Sequence, residues 1–319
     1  MRYNIRHVTR FTYESPISES VMEARVQPRS EGLQRCLQFA LITTPSSRIR
    51  MYQDPDGNVV HHFDIPGRIS RLSVVAEALV DSTPSAPLPD ALDYSAWTEL
   101  ETAARSGTFW EMLNPSPFAR PTALLDAFAA EIGANRDADP LTTLRKLNDD
   151  LFSRLTYTPK STRVDSPIDE ALESRRGVCQ DFTHIMIALV RGHGIPCRYV
   201  SGYLFQEPED GVRSPEGSTH AWAEAWLPGL EWVGFDPTNR LVAGHRHIRV
   251  AVGRDYADVP PTRGVFKGLS AMRSELSVAV RVGASGTSLL DHAPLMPWVS
   301  HQVTSPLAGG DASSQQQQQ

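Results

Sequence analysis

The chain has 319 residues, 40% of them hydrophobic and 21% charged, enough apolar content for a packed core and enough length for two domains. A formal net charge of −6 without any long basic run excludes the electrostatic footprint of a nucleic-acid or anionic-membrane binder, so neither is expected as a partner. The three cysteines, Cys36, Cys179 and Cys197, form no C-x-x-C pair, which excludes a disulfide scaffold and a zinc ribbon.

The opening MRYNIRHVTRFTYE lacks an apolar signal-like stretch, and no apolar run approaches the ~18 residues of a membrane span. With sparse, unpaired cysteines, this sets the expectation of a reducing, cytoplasmic setting. The same stretch alternates with period two: Tyr3, Ile5, His7, Thr9, Phe11 and Tyr13 fall on one side of a strand. Further strand-like runs follow at CLQFALITT, RIRMY, NVVHHFDI and RLSVVAEALV, with hairpin chemistry in DPDGN at 54–58. Residues 1–82 therefore read as a small all-β unit. The Pro-rich STPSAPLPD marks its exit, and 83–121 reads as a linker and connecting segment.

Beyond that the period turns helical. Leu124, Leu125, Phe128 and Ile132 share one face, and Leu144, Leu147, Leu151 and Leu155 another. In SPIDEALESRRG, Ser166 is the expected cap, Pro167 the first helical residue, Asp169 the closing residue of a box-like cap, and Gly177 the stop. RRGVCQDFTHIMIALVRGHGIP opens a longer helix and ends it on two glycines and a proline. Three strand-like runs follow: CRYVSGYLF, THAWAEAWL and LEWVGFD. Helices first and consecutive strands after make an α+β pattern, helices packed on an antiparallel sheet. Residues 122–282 form this second unit. The 283–319 tail, ending GGDASSQQQQQ, is low-complexity and expected to be largely disordered.

Cys179 falls at the first turn of its helix, where unpaired amides and the helix dipole favour a thiolate. The same amides can receive an oxyanion. Cys36 and Cys197 lie on strands, Cys197 as core. A thiolate needs a base, and the base an orienting group. His220, Trp222, Glu224 and Trp226 share one side of a strand whose other side is Ala221, Ala223 and Ala225. The short PGL connection brings Asp236, at the end of the next strand, back near His220. Taken singly, each of the three has a plain structural role; together, in this order, they favour chemistry. Gln180, Tyr157 and Trp222 are weaker candidates for lining the cleft or holding an oxyanion. His184 falls off the thiol's face. His245 and His247 have i, i+2 spacing without a third ligand and read as surface strand positions; a zinc site on the triad positions is the lesser alternative.

RRGVCQDFTHIMIALVRGHGIPCRYVSGY, THAWAEAW and WVGFDPTN resemble the three core motifs of the transglutaminase-like superfamily. More narrowly they resemble its bacterial transglutaminase-like cysteine protease family, which has its own β-rich N-terminal domain. HIRVAVGRDYADVPPTRGVFKG is similar to the segment that follows the core there. The likeness is strong over about 140–280 and fainter over 1–80, where it rests on YESP and the DPDGN hairpin. It implies a papain-like α+β core and a catalytic Cys-His-Asp triad on Cys179, His220 and Asp236. It implies acyl transfer on peptide or amide bonds of a protein or peptide substrate through a thioester, by hydrolysis or by transfer to an amine. A non-catalytic binding module is the remaining alternative. No cofactor or metal is expected: no D-x-D-x-D-G calcium loop is present. Oligomeric state is not legible.

Overall fold

The computed structural model describes residues 1–207, 213, 218–268, 274–284, 299–303 and 313–317. The opening alternation forms β1 (Arg2–Ala24), with Tyr3, Ile5, His7, Thr9, Phe11 and Tyr13 all buried. After it come β2 (Gln34–Thr44), β3 (Arg50–Gln53) and β4 (Val59–Ser82). β1 and β4 pair antiparallel along most of their length, with register shifts between Thr12 and Glu19 that bend the ribbon. β2 and β3 add to opposite halves of β4. The DPDGN turn closes as its residues require: Gly57, at φ +75°, donates its N–H to Asp54 O at 2.9 Å.

The segment 83–121 is more than a linker. It contains α1 (Ala96–Arg105) and the single turn α2 (Trp110–Leu113). Leu100 of α1 is buried in the helical core, and Trp97 Nε1–H donates to Asp137 O at 3.1 Å. α3 (Ala123–Ile132) starts at Thr122, whose hydroxyl accepts from Leu125 N–H, and ends on left-handed Gly133. α4 (Pro140–Arg154) is capped by Asp139, with Pro140 at its first position. The short strand β5 (Thr156–Tyr157) follows.

α5 (Ile168–Ser174) departs from expectation at both ends. Pro167, not Ser166, holds the cap position. Ser166 Oγ donates to Glu170 Oε2 (2.6 Å), one turn on, and Asp169 accepts from the distant Thr122 Oγ1 (2.6 Å), so other partners have taken both side chains. Arg175 in the left-handed region ends the helix, and Gly177 instead belongs to β6 (Arg176–Gly177), parallel to β5.

α6 (Cys179–Gly192) runs under the second sheet. That sheet comprises β7 (Cys197–Leu204), β8 (His220–Leu227), β9 (Glu231–Asp236), β10 (Leu241–Val242) and β11 (His247–Gly253). Its order is β10-β9-β8-β7-β11, antiparallel throughout. The small face of Ala221, Ala223 and Ala225 lets α6 approach, and Phe182, Ile185 and Leu189 pack into the same core. On the opposite face Trp222 packs with Val200 and Val252.

The chain then returns to the first sheet. β12 (Thr262–Lys267) and β13 (Ser274–Ala284) pair with the two halves of β1. Residues 262–282, expected in the second unit, thus complete the first: the apolar sides of β1 and β4 are covered partly by Phe266, Leu276, Val278 and Val280. Tyr203, Ile248 and Val250, from the second sheet, join that same core. Most of the 283–319 tail lies outside the described residues; β14 (Val299–Val303) and β15 (Ser313–Gln317) pair with β13 and β12. Among the described residues no helix is long and apolar enough to cross a membrane.

Two side-chain amides fasten the units together. Along the outer edge of β11, Asn58 exchanges hydrogen bonds with the Val252 backbone, 2.8 Å each way. Gln34 does the same with Arg249, at 2.9 Å each way. An open strand edge is thereby satisfied by the first unit.

Candidate active site

Cys179 is the first residue of α6 and only half-buried. The helix start is fixed by Asp181, whose carboxylate accepts from Val178 N–H at 2.8 Å and from Thr162 Oγ1–H at 2.6 Å. Burial, set against these donors, raises the Asp181 carboxyl to about 6. Gly177 is required beside it, since a Cβ there would lie 2.9 Å from the Asp181 Cβ.

His220 is the first residue of β8. Its Nε2 lies 2.7 Å from Asp236 Oδ2, both side chains almost wholly buried, and 3.4 Å from Asn239 Nδ2; the Cys179 side chain acts on the same imidazole. With Nε2 taken by the carboxylate, Nδ1 is the nitrogen left for the thiol. Burial alone pushes the imidazole down, but Asp236 and Cys179 together raise it to about 10. Asp236, at the end of β9, is held well below the usual carboxylate range: burial opposes this, and His220 and His247 overcome it. The hairpin register pairs Ala223 with Phe235 and Trp226 with Trp232. Continuing that register puts Asp236 opposite Trp222, two residues along β8 from His220, so Asp236 is a diagonal same-face neighbour of His220. The structure thus places Cys179, His220 and Asp236 together.

The weaker candidates separate. Tyr157, on β5, is half-buried, and burial, Cys179 and Asp181 all push its hydroxyl upward. Gln180 is committed elsewhere: its Nε2–H donates to Val164 O at 2.9 Å. Trp222 is fully buried, and with Gly234 and His247 it borders a cavity of about 710 Å³. It stands behind the imidazoles, 5.2 Å from His247 and 6.1 Å from His220 between ring centroids. Gly202 and Gly234 make room for it, since Cβ atoms there would lie 2.6 and 3.3 Å from its ring. Cys197 is buried, which pushes its thiol up to about 12, and burial raises the Cys36 thiol as well. His184 is stacked on Phe118, and its Nε2 accepts from Tyr256 N–H at 3.2 Å. His245 precedes β11 and is half-exposed.

His247 corrects the sequence-based expectation. It is not a surface residue: its side chain is 4% exposed and its Nε2 lies 3.2 Å from Asp236 Oδ2. Asn239 was also missed. Its Nδ2–H donates to Asp236 Oδ2 at 2.8 Å, and the N–H groups of Thr238 and Asn239 donate to Oδ1 at 3.1 and 3.2 Å. Asn239 sits within FDPTN, where an Asx-type turn after Asp236 is the legible signal. No local signal marked His247, because its burial comes from the pairing of β11 with β7.

His220, Asp236 and His247 bring three ligand atoms within 4.8 Å of one another, a spacing open to a metal ion. The donor set argues against one. A metal-bound imidazole donates through its other nitrogen, yet His247 Nδ1 faces the Gly244 N–H at 3.3 Å and must accept there.

Comparison with known proteins identifies the family. Residues 126–237 match the transglutaminase-like superfamily model, and residues 3–81 match that of the bacterial transglutaminase-like N-terminal region. An uncharacterized protein of Mycobacterium leprae is 36% identical over 282 residues, covering 88% of this chain and 98% of that one. A Pseudomonas aeruginosa protein-glutamine gamma-glutamyltransferase is 28% identical over 203 residues, covering 57% of this chain and 29% of its own. A Cytophaga hutchinsonii crystal structure, titled "Putative Cysteine Protease", superposes with a TM-score of 0.69 at 22% identity, covering 100% of this chain and 98% of that one. The chain belongs to the transglutaminase-like superfamily and carries the bacterial transglutaminase-like N-terminal region.

Proposed function

We propose that this protein is a thiol-dependent acyl-transfer enzyme that hydrolyses peptide or amide bonds, with Cys179, His220 and Asp236 as its catalytic triad. The observation that carries this is the buried 2.7 Å His220–Asp236 contact with Cys179 acting on the same imidazole. A raised His220 favours a thiolate–imidazolium pair at rest.

The Cys179 Sγ attacks the carbonyl carbon, and the oxygen takes up the negative charge. The amides of the first turn of α6, Cys179's own among them, are the donors available to it. His220 passes its Nδ1 proton to the leaving amine as the C–N bond breaks, leaving a thioester. Water then adds to the thioester carbon while giving a proton to His220. The C–S bond breaks, and thiolate, imidazolium and carboxylic acid product are restored in balance. Asp236 holds the imidazole's orientation and stabilises its charge throughout.

Transfer to an amine in place of water is the second reading, favoured by the relative named protein-glutamine gamma-glutamyltransferase. A binding module is the weaker one, since it has no use for the intact triad. For the compartment we favour the reducing cytoplasm, supported by the free thiols Cys36, Cys179 and Cys197. The deciding experiment incubates a glutamine- and amide-containing peptide library with the enzyme and a primary amine. Mass spectrometry separates cleaved or deamidated products from amine adducts. A Cys179→Ala control that performs equally well overturns the proposal.

A further inference from the structure

The carboxylate behind His220 carries a second imidazole for which the three-residue mechanism has no use. His247 opens β11, on the far edge of the sheet from β9, yet its Nε2 reaches the same Asp236 Oδ2 that His220 uses. What lies on its other nitrogen decides its form. Gly244 N–H points at Nδ1 from 3.3 Å, and an amide N–H can only donate. Nδ1 must therefore offer a lone pair, which puts the ring's one proton on Nε2 and directs it at the carboxylate. A turned ring would forfeit both nitrogen contacts, and Trp222 packs edge-to-face against it at 5.2 Å.

We propose that His247 is a positioning residue of the site: a neutral imidazole, fixed as the Nε2–H tautomer by Gly244, that donates to Asp236 and holds the carboxylate in line with His220. This rests on the triad reading above and extends it by one residue. Asp236 Oδ2 then accepts from three side chains on three segments: His220 on β8, Asn239 in the turn after β9, and His247 on β11. A carboxylate held from three directions cannot swing away when the His220 charge changes during turnover, which keeps His220 Nδ1 aimed at the sulfur.

The charged groups facing His247 are Asp236 from β9, His220 from β8 and Arg249 on its own strand. Burial, His220 and Arg249 oppose a second positive charge on this ring, and Asp236 favours one; the balance keeps it neutral. Its N–H dipole in turn lowers the carboxylate's pull on the His220 proton, so removing it strengthens that pull.

Three measurements on the full chain test this. Two-bond nitrogen–proton correlation spectra of histidine-labelled protein report the tautomer directly, and a neutral Nε2–H His247 at pH 7 is expected. Iodoacetamide alkylation of Cys179 against pH needs no substrate, so it stands even if no amide is ever found to be turned over. His247→Phe keeps the ring volume and removes the donor. It is expected to slow alkylation at neutral pH about tenfold or more and to move the alkaline limb of the profile upward. His247→Gln, which restores an N–H donor, is expected to return both to near the parent. Metal analysis of the purified protein is expected to find none held by this cluster. An Nδ1–H tautomer, a folded His247→Phe with the parental profile, or one equivalent of metal that His247→Phe abolishes would each overturn the proposal.

Discussion

Replacing Asp236 by Asn leaves shape almost unchanged and inverts the hydrogen-bonding logic of the site. Five N–H groups converge on this carboxylate: His220, His247 and Asn239 side chains on Oδ2, and the Thr238 and Asn239 backbones on Oδ1. An amide has one oxygen. If it keeps the backbone pair, its NH2 faces the three side-chain donors. One imidazole must then reverse its tautomer. His247 cannot do so freely, since its Nδ1 would present a proton to the Gly244 N–H. His220 is the one that yields, and its Nδ1 then carries a proton toward the thiol in place of a lone pair. The base is lost along with the charge that stabilised its imidazolium.

A carboxylate-to-amide change in a triad of this kind costs about 10⁴ in rate, or roughly 5.5 kcal/mol in the barrier. At least two buried donors also go unmatched, at about 1–3 kcal/mol each, so the melting temperature should fall as well. The assay is Cys179 alkylation at pH 7, followed by turnover of the best library peptide, with circular dichroism on the same samples. A folded Asp236→Asn protein within tenfold of the parent in both would refute the reasoning, because the donors would then be satisfied in some way the geometry does not provide.

Four further outcomes follow from the same packing. Under limiting iodoacetamide, peptide mapping should find Cys179 labelled well before Cys36 and before Cys197, which is buried and pushed up to about 12. Gly202→Ala should destabilise by about 1–3 kcal/mol or more in urea melts, since the new Cβ would lie 2.2 Å from the Ile248 carbonyl oxygen and 2.6 Å from the Trp222 ring. Stability should fall as pH drops from about 6.5 toward 3, at most about 1.4 kcal/mol per unit, because burial and Arg191 hold His184 down to about 3, neutral in the fold but charged when unfolded. Asp181, raised to about 6, works the other way, adding stability at low pH that is lost as pH rises through 6, so His184→Gln should flatten the acid loss seen in melts. Asn58→Ala should strip both partners from the Val252 backbone and cost about 2 kcal/mol or more, with hydrogen exchange at Val252 accelerating first.

The parts of the site that could be read from the sequence are those whose signals are local. A thiol two residues after a glycine, opening an amphipathic helix, needs no tertiary knowledge to place. Nor does a hairpin whose arms return Asp236 toward His220; counting from the PGL turn puts the two within two residues of opposite each other, the diagonal offset that the register has. Most of the failures share a cause. Asp169 looks like a cap until the fold brings Thr122 to it, whereas Ser166 is lost to a local partner, Glu170. Arg191 reads as an ordinary basic residue in a last helical turn. Folded, it is buried and holds the carbonyls of Met112, Asn114, Cys197 and Arg254, fastening the segment around α2 to the core. His247 looks exposed because alternation within one strand says nothing about which strand pairs with it.

β11 is where the two units of the chain meet the chemistry. Its inner end supplies His247 to Asp236. Among the described residues its outer edge is paired not by another strand but by the amides of Gln34 and Asn58, and the Arg29 N–H donates to Arg249 O at 3.0 Å. Ile248 and Val250, on the same strand, are buried in the core of the first unit. A strand gripped along its edge and across one face cannot slide or splay, so the first unit fixes the position from which His247 reaches the carboxylate. On the function proposed above, that gives the N-terminal β unit a physical role in the site. It also explains why β12 and β13 return to β1: the chain leaving β11 closes the very core that holds β11 in place.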